Sequence, residues 1–179
     1  GNVFQQYNVD VSLKQLLFYS IIPCIHSNNP PFTQANYIEQ EEEPIQNIIL
    51  QIRSSQTISC RSRVADKLLS LLLAVKEEND NSKGMDESSL RNFYIFIRST
   101  NNLKCPMISL TPDNYIYASW RSDTNLFSAN FLPNGTVRYV IFISDSDNPT
   151  KKIRITNTTK VDKLMAVVEE NSIRDWISE

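Results

Sequence analysis

Apolar residues recur every three or four positions up to about residue 100, alternate with polar ones through most of the remainder, and return to helical spacing near the end. Leu13, Leu16, Leu17 and Ile21 predict a helix over 11–22, capped by Asp10 or Ser12. Pro23, Pro30 and Pro31 make the next stretch a loop. Ile45, Ile48, Ile49 and Ile52 suit either a helix face or a buried strand. Pro44 in a first turn, with the acidic run 39–43 ahead of it at a solvated helix start, favours the helix. The clearest helix is expected at 62–78. Val64, Leu68, Leu71, Leu72 and Val75 form one stripe, and Leu69, Leu73 and Ala74 widen it around the cylinder. A helix so apolar either crosses the core or joins an interface with another chain. Residues 77–83 with Gly84 are the candidate linker, and Leu90, Phe93, Tyr94 and Ile97 predict a helix over 87–100 capped by Asp86 or Ser88.

Alternation predicts strands at 106–111, 115–121, 126–132 and 136–143, with a fifth at 152–156 beyond the polar loop 144–149. Two reversals share one turn chemistry, Pro112-Asp113-Asn114 and Pro133-Asn134-Gly135. In each, proline presets φ at the first corner, and Asn114 or Gly135 takes the left-handed position. Ile116, Ala118 and Trp120 share a face, as do Phe127, Ala129 and Phe131, and Val137, Tyr139, Ile141 and Ile143. Opposite them lie Tyr117, Ser119 and Arg121, then Ser128 and Asn130, then Thr136 and Arg138. Thr159 is the expected cap of a last helix bearing Val161, Leu164, Met165 and Val168, ended by a left-handed Asn171, with Trp176 and Ile177 docking the tail. The expected fold is α+β: an antiparallel meander of four to five strands, covered on one face by helices 87–100 and 159–170. An N-terminal helical region, residues 1–83, stands beside a meander domain, residues 84–179, and the two can form one unit.

Composition narrows the chemistry. The 179 residues suffice for a core, and 18 basic against 20 acidic residues give a net charge of −2, which supplies no overall field for nucleic acid or an anionic membrane. No apolar run approaches a spanning helix, and residues 1–7 lack the pattern of a secretion signal. Cys24, Cys60 and Cys105 are scattered and odd in number, pointing to reduced thiols in the cytoplasm. In that compartment the sequons at Asn134 and Asn157 are ordinary turn and loop residues. Three glycines, Gly1, Gly84 and Gly135, cannot build a phosphate-cradling loop, so Walker-type and Rossmann-type sites are excluded.

His26, the single histidine, has only Cys24 near it in sequence, too few ligands for zinc, and a Cys24–His26 nucleophilic pair lacks any orienting group. Asp145, Asp147 and Asn148 lack the carboxylates and glycine of a calcium loop. Asp113 is followed by no acid-x-Lys pattern, which removes a metal-nuclease reading. Arg53, Arg61, Arg63 and Lys67, and separately Lys151, Lys152 and Arg154, are clusters able to meet phosphates or simply solvent. Tyr115, Tyr117 and Tyr139 suit either protein contacts or base stacking. No catalytic residue, metal ligand or cofactor is expected.

The order of a leucine-rich helix, Ser89-Leu-Arg-Asn-Phe93, Cys105-Pro106-x-Ile108-x-Leu110-Thr-Pro112-Asp113, Ala118-Ser-Trp120-Arg121 and Phe131-Leu-Pro133-Asn134-Gly135-Thr-Val137-Arg138 resembles a set of small uncharacterised bacterial proteins associated with mobile elements. The resemblance covers residues 62–179 and carries no catalytic residues with it. It implies a cytoplasmic accessory protein, such as an antitoxin or a phage-defence subunit. The leading expectation is a non-enzymatic binding protein whose partner is another, basic protein encoded nearby, or a second copy held through helix 62–78, with no membrane role. The alternative is nucleic-acid binding on the open sheet face. Binding residues expected under these readings are Tyr117, Trp120, Arg121, Arg138, Leu69 and Leu73.

Overall fold

The computed structural model describes residues 34–78 and 84–179. The helix expected at 11–22, the proline-rich loop with Cys24 and His26, and most of the linker at 77–83 lie outside those residues. The chain divides into two units, 1–42 and 43–179; of the first, residues 34–42 are described, and they are helical. Elements run in the order α1 (Gln34–Ser54), α2 (Arg61–Glu78), α3 (Glu87–Arg98), β1 (Met107–Leu110), β2 (Ile116–Ser122), β3 (Asn125–Phe131), β4 (Thr136–Ser144), β5 (Lys152–Lys160), a 3₁₀ turn (Val161–Lys163), α4 (Leu164–Glu170) and α5 (Arg174–Ile177).

Residues 43–179 are an α+β unit. Its five strands form one antiparallel sheet in the order β1-β2-β3-β4-β5, each paired with its neighbours in sequence. One hydrophobic cluster joins Ile45, Ile48, Ile49 and Ile52 of α1 to Ile177 near the end of the chain, so residues on both sides of position 84 share a core. The isoleucine spacing settles as helix, with all four side chains buried. Pro44 and the acidic run do not begin that helix, as expected, but lie inside it. The glutamates and glutamines ahead of the proline are good helix formers and carry the helix back, so the ring removes one backbone hydrogen bond from its interior.

Helix α3 lies across the sheet. Its apolar face meets Phe131 edge-on through Phe93, with ring centroids 5.4 Å apart, and meets Trp120 edge-on through Phe96, at 5.9 Å. Trp120 stacks in turn on Phe127 at 5.5 Å, and its indole N–H donates to the Lys104 carbonyl at 2.8 Å. Aromatic rings in these offset and edge-to-face arrangements gain about 0.5–1.5 kcal/mol per pair beyond their burial.

The first turn of α3 is stitched into the sheet. Asp86 caps it, accepting from the Ser89 backbone N–H at 2.8 Å. The pairing of β2 with β3 begins at Tyr117 and Asn130, leaving the next backbone groups, Ile116 N–H and Phe131 C=O, without each other. Ser89 fills the gap: its hydroxyl accepts from Ile116 N–H at 2.7 Å and donates to Phe131 C=O at 2.5 Å, fully buried. Asn92, one turn on, donates its amide to the Leu132 carbonyl at 2.8 Å.

Both expected turns hold, with Asn114 at φ 62° and Gly135 at φ 79°. Two expectations at the C-terminal end do not. Thr159 is not a helix cap but a residue of β5, opposite Val137, because the β-branched Thr156, Thr158 and Thr159 extend the pairing with β4 through Lys160. The last helix therefore opens with the 3₁₀ turn, tied by the Val161 N–H to the Gly135 carbonyl at 3.0 Å. Nor does Asn171 adopt the left-handed conformation. Its φ is −99°, its side-chain amide donates to the Val167 carbonyl at 2.8 Å, and Ser172 takes the positive φ of 54°. The tail docks as expected, with Ile177 buried, Trp176 half-buried, and the Lys104 N–H donating to the Ile177 carbonyl at 2.7 Å.

Ser89→Ala strands two buried backbone groups, and urea denaturation is expected to show a loss of about 2–6 kcal/mol, twice the cost of one unsatisfied partner. A Cβ added at Gly135 meets nothing within 4 Å, so Gly135→Ala is expected to cost only the left-handed conformation, about 1 kcal/mol in the same measurement.

Candidate functional site

Strand alternation sends one set of side chains into the helix-covered core and the other to a face that no helix covers among the described residues. The core set is Ile116, Ala118 and Trp120, Phe127, Ala129 and Phe131, then Val137, Tyr139 and Ile141, all buried. The registers order the open set into cross-strand rows. One row runs Tyr117, Asn130, Arg138, Thr158, and another runs Arg121, Leu126, Phe142, Arg154. Between them lies Met107, Ser119, Ser128, Val140, Thr156.

The charge on this face is one-sided. The five strands contain no aspartate or glutamate, and their basic residues are Arg121, Arg138, Lys152, Arg154 and Lys160. By the register all five lie on the open face, and all are exposed. A chain of net charge −2 thus keeps a sheet surface of formal charge +5 over its strands. Two aromatic side chains, Tyr117 and Phe142, are half-exposed on it. They occupy opposite corners of a rectangle whose other corners are Arg121 and Arg138, a diagonal of roughly 16 Å from standard strand spacing and rise. Arg154 lies over the Phe142 ring, 5.7 Å from its centroid. Near the centre the Asn130 side-chain oxygen is buried and has no hydrogen-bond partner. An acceptor left in that state is costly unless something donates to it.

Of the expected binding residues, Tyr117, Arg121 and Arg138 are brought together here. Trp120 is not a surface residue: alternation puts it on the opposite face, 3% exposed in the aromatic core. Leu69 is buried and Leu73 half-buried, and Val64, Ala65, Leu68 and Leu72 of the same helix are buried too. The wide apolar surface of α2 is therefore spent largely within the chain. Tyr139 points into the core at 7% exposure, which removes it from the stacking set. Lys152 and Arg154, expected as part of a cluster able to meet phosphates, join the face, and so do Phe142 and Lys160, which were not singled out. Their signal lay in the sequence, in the parity that each strand imposes.

The other candidates are placed as follows. The Asp145 carboxylate is engaged by the Asp147 N–H at 3.0 Å and by Lys151 at 3.8 Å, and the Asn148 oxygen accepts from Thr150, so this loop satisfies itself. Among the described residues no three histidine, cysteine or acidic side chains cluster in a way that could hold a metal. Arg53 pairs with Asp66 at 2.6 Å, while Arg63 and Lys67 border a surface cleft beside β1. No helix of the described residues is long and apolar enough to cross a membrane. Cys60 stands just before α2 and meets the thiol of Cys105, which precedes β1. Burial, reinforced by the hydrogen bond with Cys105, pushes the Cys60 thiol up from 9.0 to about 12.

No protein-family model matches the chain, and neither does any curated protein or solved structure. The functional reading therefore rests on the geometry of the chain itself.

Because the folded state holds the Cys60 proton more tightly than the unfolded chain, its contribution to stability is complete below pH 9 and is lost as the pH rises toward about 12. Denaturation midpoints between pH 8 and pH 11 are expected to fall more steeply in the native chain than in Cys60→Ala, which lacks that proton.

Proposed function

We propose that the protein is a non-enzymatic binding protein whose working surface is the open face of the sheet and whose ligand is single-stranded nucleic acid. The observation that carries this reading is the segregation of charge: every basic residue of the sheet faces one way and no acidic residue accompanies them. Phosphates neutralised by such a face release counterions, which makes binding favourable and dependent on salt. Tyr117 and Phe142 supply flat surfaces on which bases stack, at about 1–3 kcal/mol each when such contacts form. Arg154 lies over the Phe142 ring from the neighbouring strand, and Arg138 and Arg121 stand across β3 from Tyr117 and Phe142, so base and backbone are met on one face.

An accessory role beside a partner protein, in a mobile-element or defence setting, is compatible with this reading. The sheet face would suit an acidic partner, not the basic one that the overall charge suggested. Nucleic acid is favoured because half-exposed aromatic rings set between arginines serve both halves of a nucleotide.

Binding of a mixed-sequence single-stranded oligonucleotide, followed by fluorescence anisotropy, is expected to weaken with salt at a slope of roughly −0.7 per phosphate contacted. Arg138→Ala and Arg121→Ala are each expected to lower affinity by about fivefold to tenfold and to flatten the slope, and Tyr117→Ala to lower affinity by about tenfold with the slope unchanged. Arg91→Ala, on the far side of α3, serves as the control of equal charge. Absence of binding at micromolar protein in low salt, or equal losses from Arg91 and Arg138, would refute the reading; tight binding of an acidic protein without oligonucleotide binding would replace it.

A further inference from the structure

The basic cleft beside β1 borders the open face only through Met107. It has a volume of about 570 Å³ and is bordered by Arg63 and Lys67 of α2 and by Cys105, Pro106 and Met107 of the opposite wall. Asp66, also on its wall, is already engaged by Arg53 at 2.6 Å, so the cleft retains a surplus of positive charge. Cys60 borders a separate small space of about 10 Å³, together with Val64, Ile97 and Trp120. The two cysteines, distant in sequence, are brought side by side: Cys60 hydrogen-bonds with Cys105, which lines the cleft, and shares its small space with the flanking Lys104 and Pro106. Backbone hydrogen bonds hold both segments in place. The Cys60 carbonyl accepts from the Val64 N–H at 3.1 Å, and Lys104, next to Cys105, is bonded through its N–H to Ile177 and through its carbonyl to Trp120.

We propose that Cys105 and Cys60 are the attacking and resolving thiols of a thiol–disulfide site that reacts with a small, carboxylate-bearing disulfide. Arg63 and Lys67 attract the carboxylates and so bring the disulfide to the Cys105 sulfur. The Cys105 thiolate attacks one sulfur of the small disulfide; that S–S bond breaks, and the departing thiolate takes up a proton. Cys60, which keeps its proton until a mixed disulfide stands against it, then releases that proton and attacks the Cys105 sulfur. The second small thiolate leaves and is protonated. Overall, one small disulfide and two protein thiols become one protein disulfide and two small thiols. The new bond ties the start of α2 to the start of β1 and closes the chain between them, which constrains the unfolded state.

The test uses the full chain with Cys24→Ser, and glutathione disulfide as the probe. The expected product is a monomer lighter by two hydrogens, reversed by dithiothreitol, with a melting temperature higher by about 5–15 °C. Formed from the folded chain, it should appear at least tenfold faster than from the same chain in urea. Adding Cys60→Ser should halt the reaction at one glutathione on Cys105, and Arg63→Ala with Lys67→Ala should slow the first step at low salt by roughly tenfold without slowing reaction of the unfolded chain. Equal rates in the folded and unfolded chains would overturn the proposal. So would a glutathione adduct that persists on Cys105 beside an intact Cys60, or an adduct forming first on Cys60.

Discussion

A single hydroxyl holds the sheet and its helical cover in register. Strands β2 and β3 diverge where Ile116 and Phe131 would otherwise bond to each other, and Ser89 of α3 stands between them as donor to one and acceptor from the other. Two buried backbone groups are thereby satisfied by a side chain from a different layer, so neither layer can shift without stranding them. Asp86 caps the same turn and Asn92 binds Leu132, which fixes the helix at two further points along its length. The aromatic contacts between Phe93, Phe96, Trp120, Phe127 and Phe131 fall into place once that position is set.

This anchoring commits one face of the sheet to packing and leaves the other to interaction. A slip of one residue in any strand would exchange the two faces. Arg138 and Arg154 would then enter the core, and Val137 and Ile155 would turn outward, an exchange prevented by the cost of burying unpaired charge. The same hydrophobic requirement that fixes the register therefore gathers all the sheet's cations on one surface. The acidic residues among those described are carried by helices and loops. Net charge, taken alone, conceals a surface of the opposite sign.

Much of the architecture was legible. Isoleucine spacing marked α1, alternation marked five strands, and turn chemistry located Asn114 and Gly135 at positive φ. Local rules failed where tertiary pairing outweighed them. Thr159 and Asn171 are good caps by type, yet β5 claims the first through its register with Val137, and the second spends its amide on Val167. Pro44 marked a helix start by type and lies within one instead. The candidate surface was partly legible: Tyr117, Arg121 and Arg138 were assigned to the correct face. Lys152, Arg154 and Phe142 follow by the same parity once β4 and β5 are aligned, and that alignment was not available from either strand alone.

Periodicity and turn residues determine, from the sequence itself, which segments become helices or strands and which side of each is apolar, because those preferences arise within a few neighbouring residues. Only the tertiary structure decides that Trp120 lies in the core while Phe142 lies outside it, that α2 spends its leucines within the chain, and that Cys60 meets Cys105. Each depends on which distant segment supplies the facing surface, and local preference carries no information about contacts made between residues far apart along the chain.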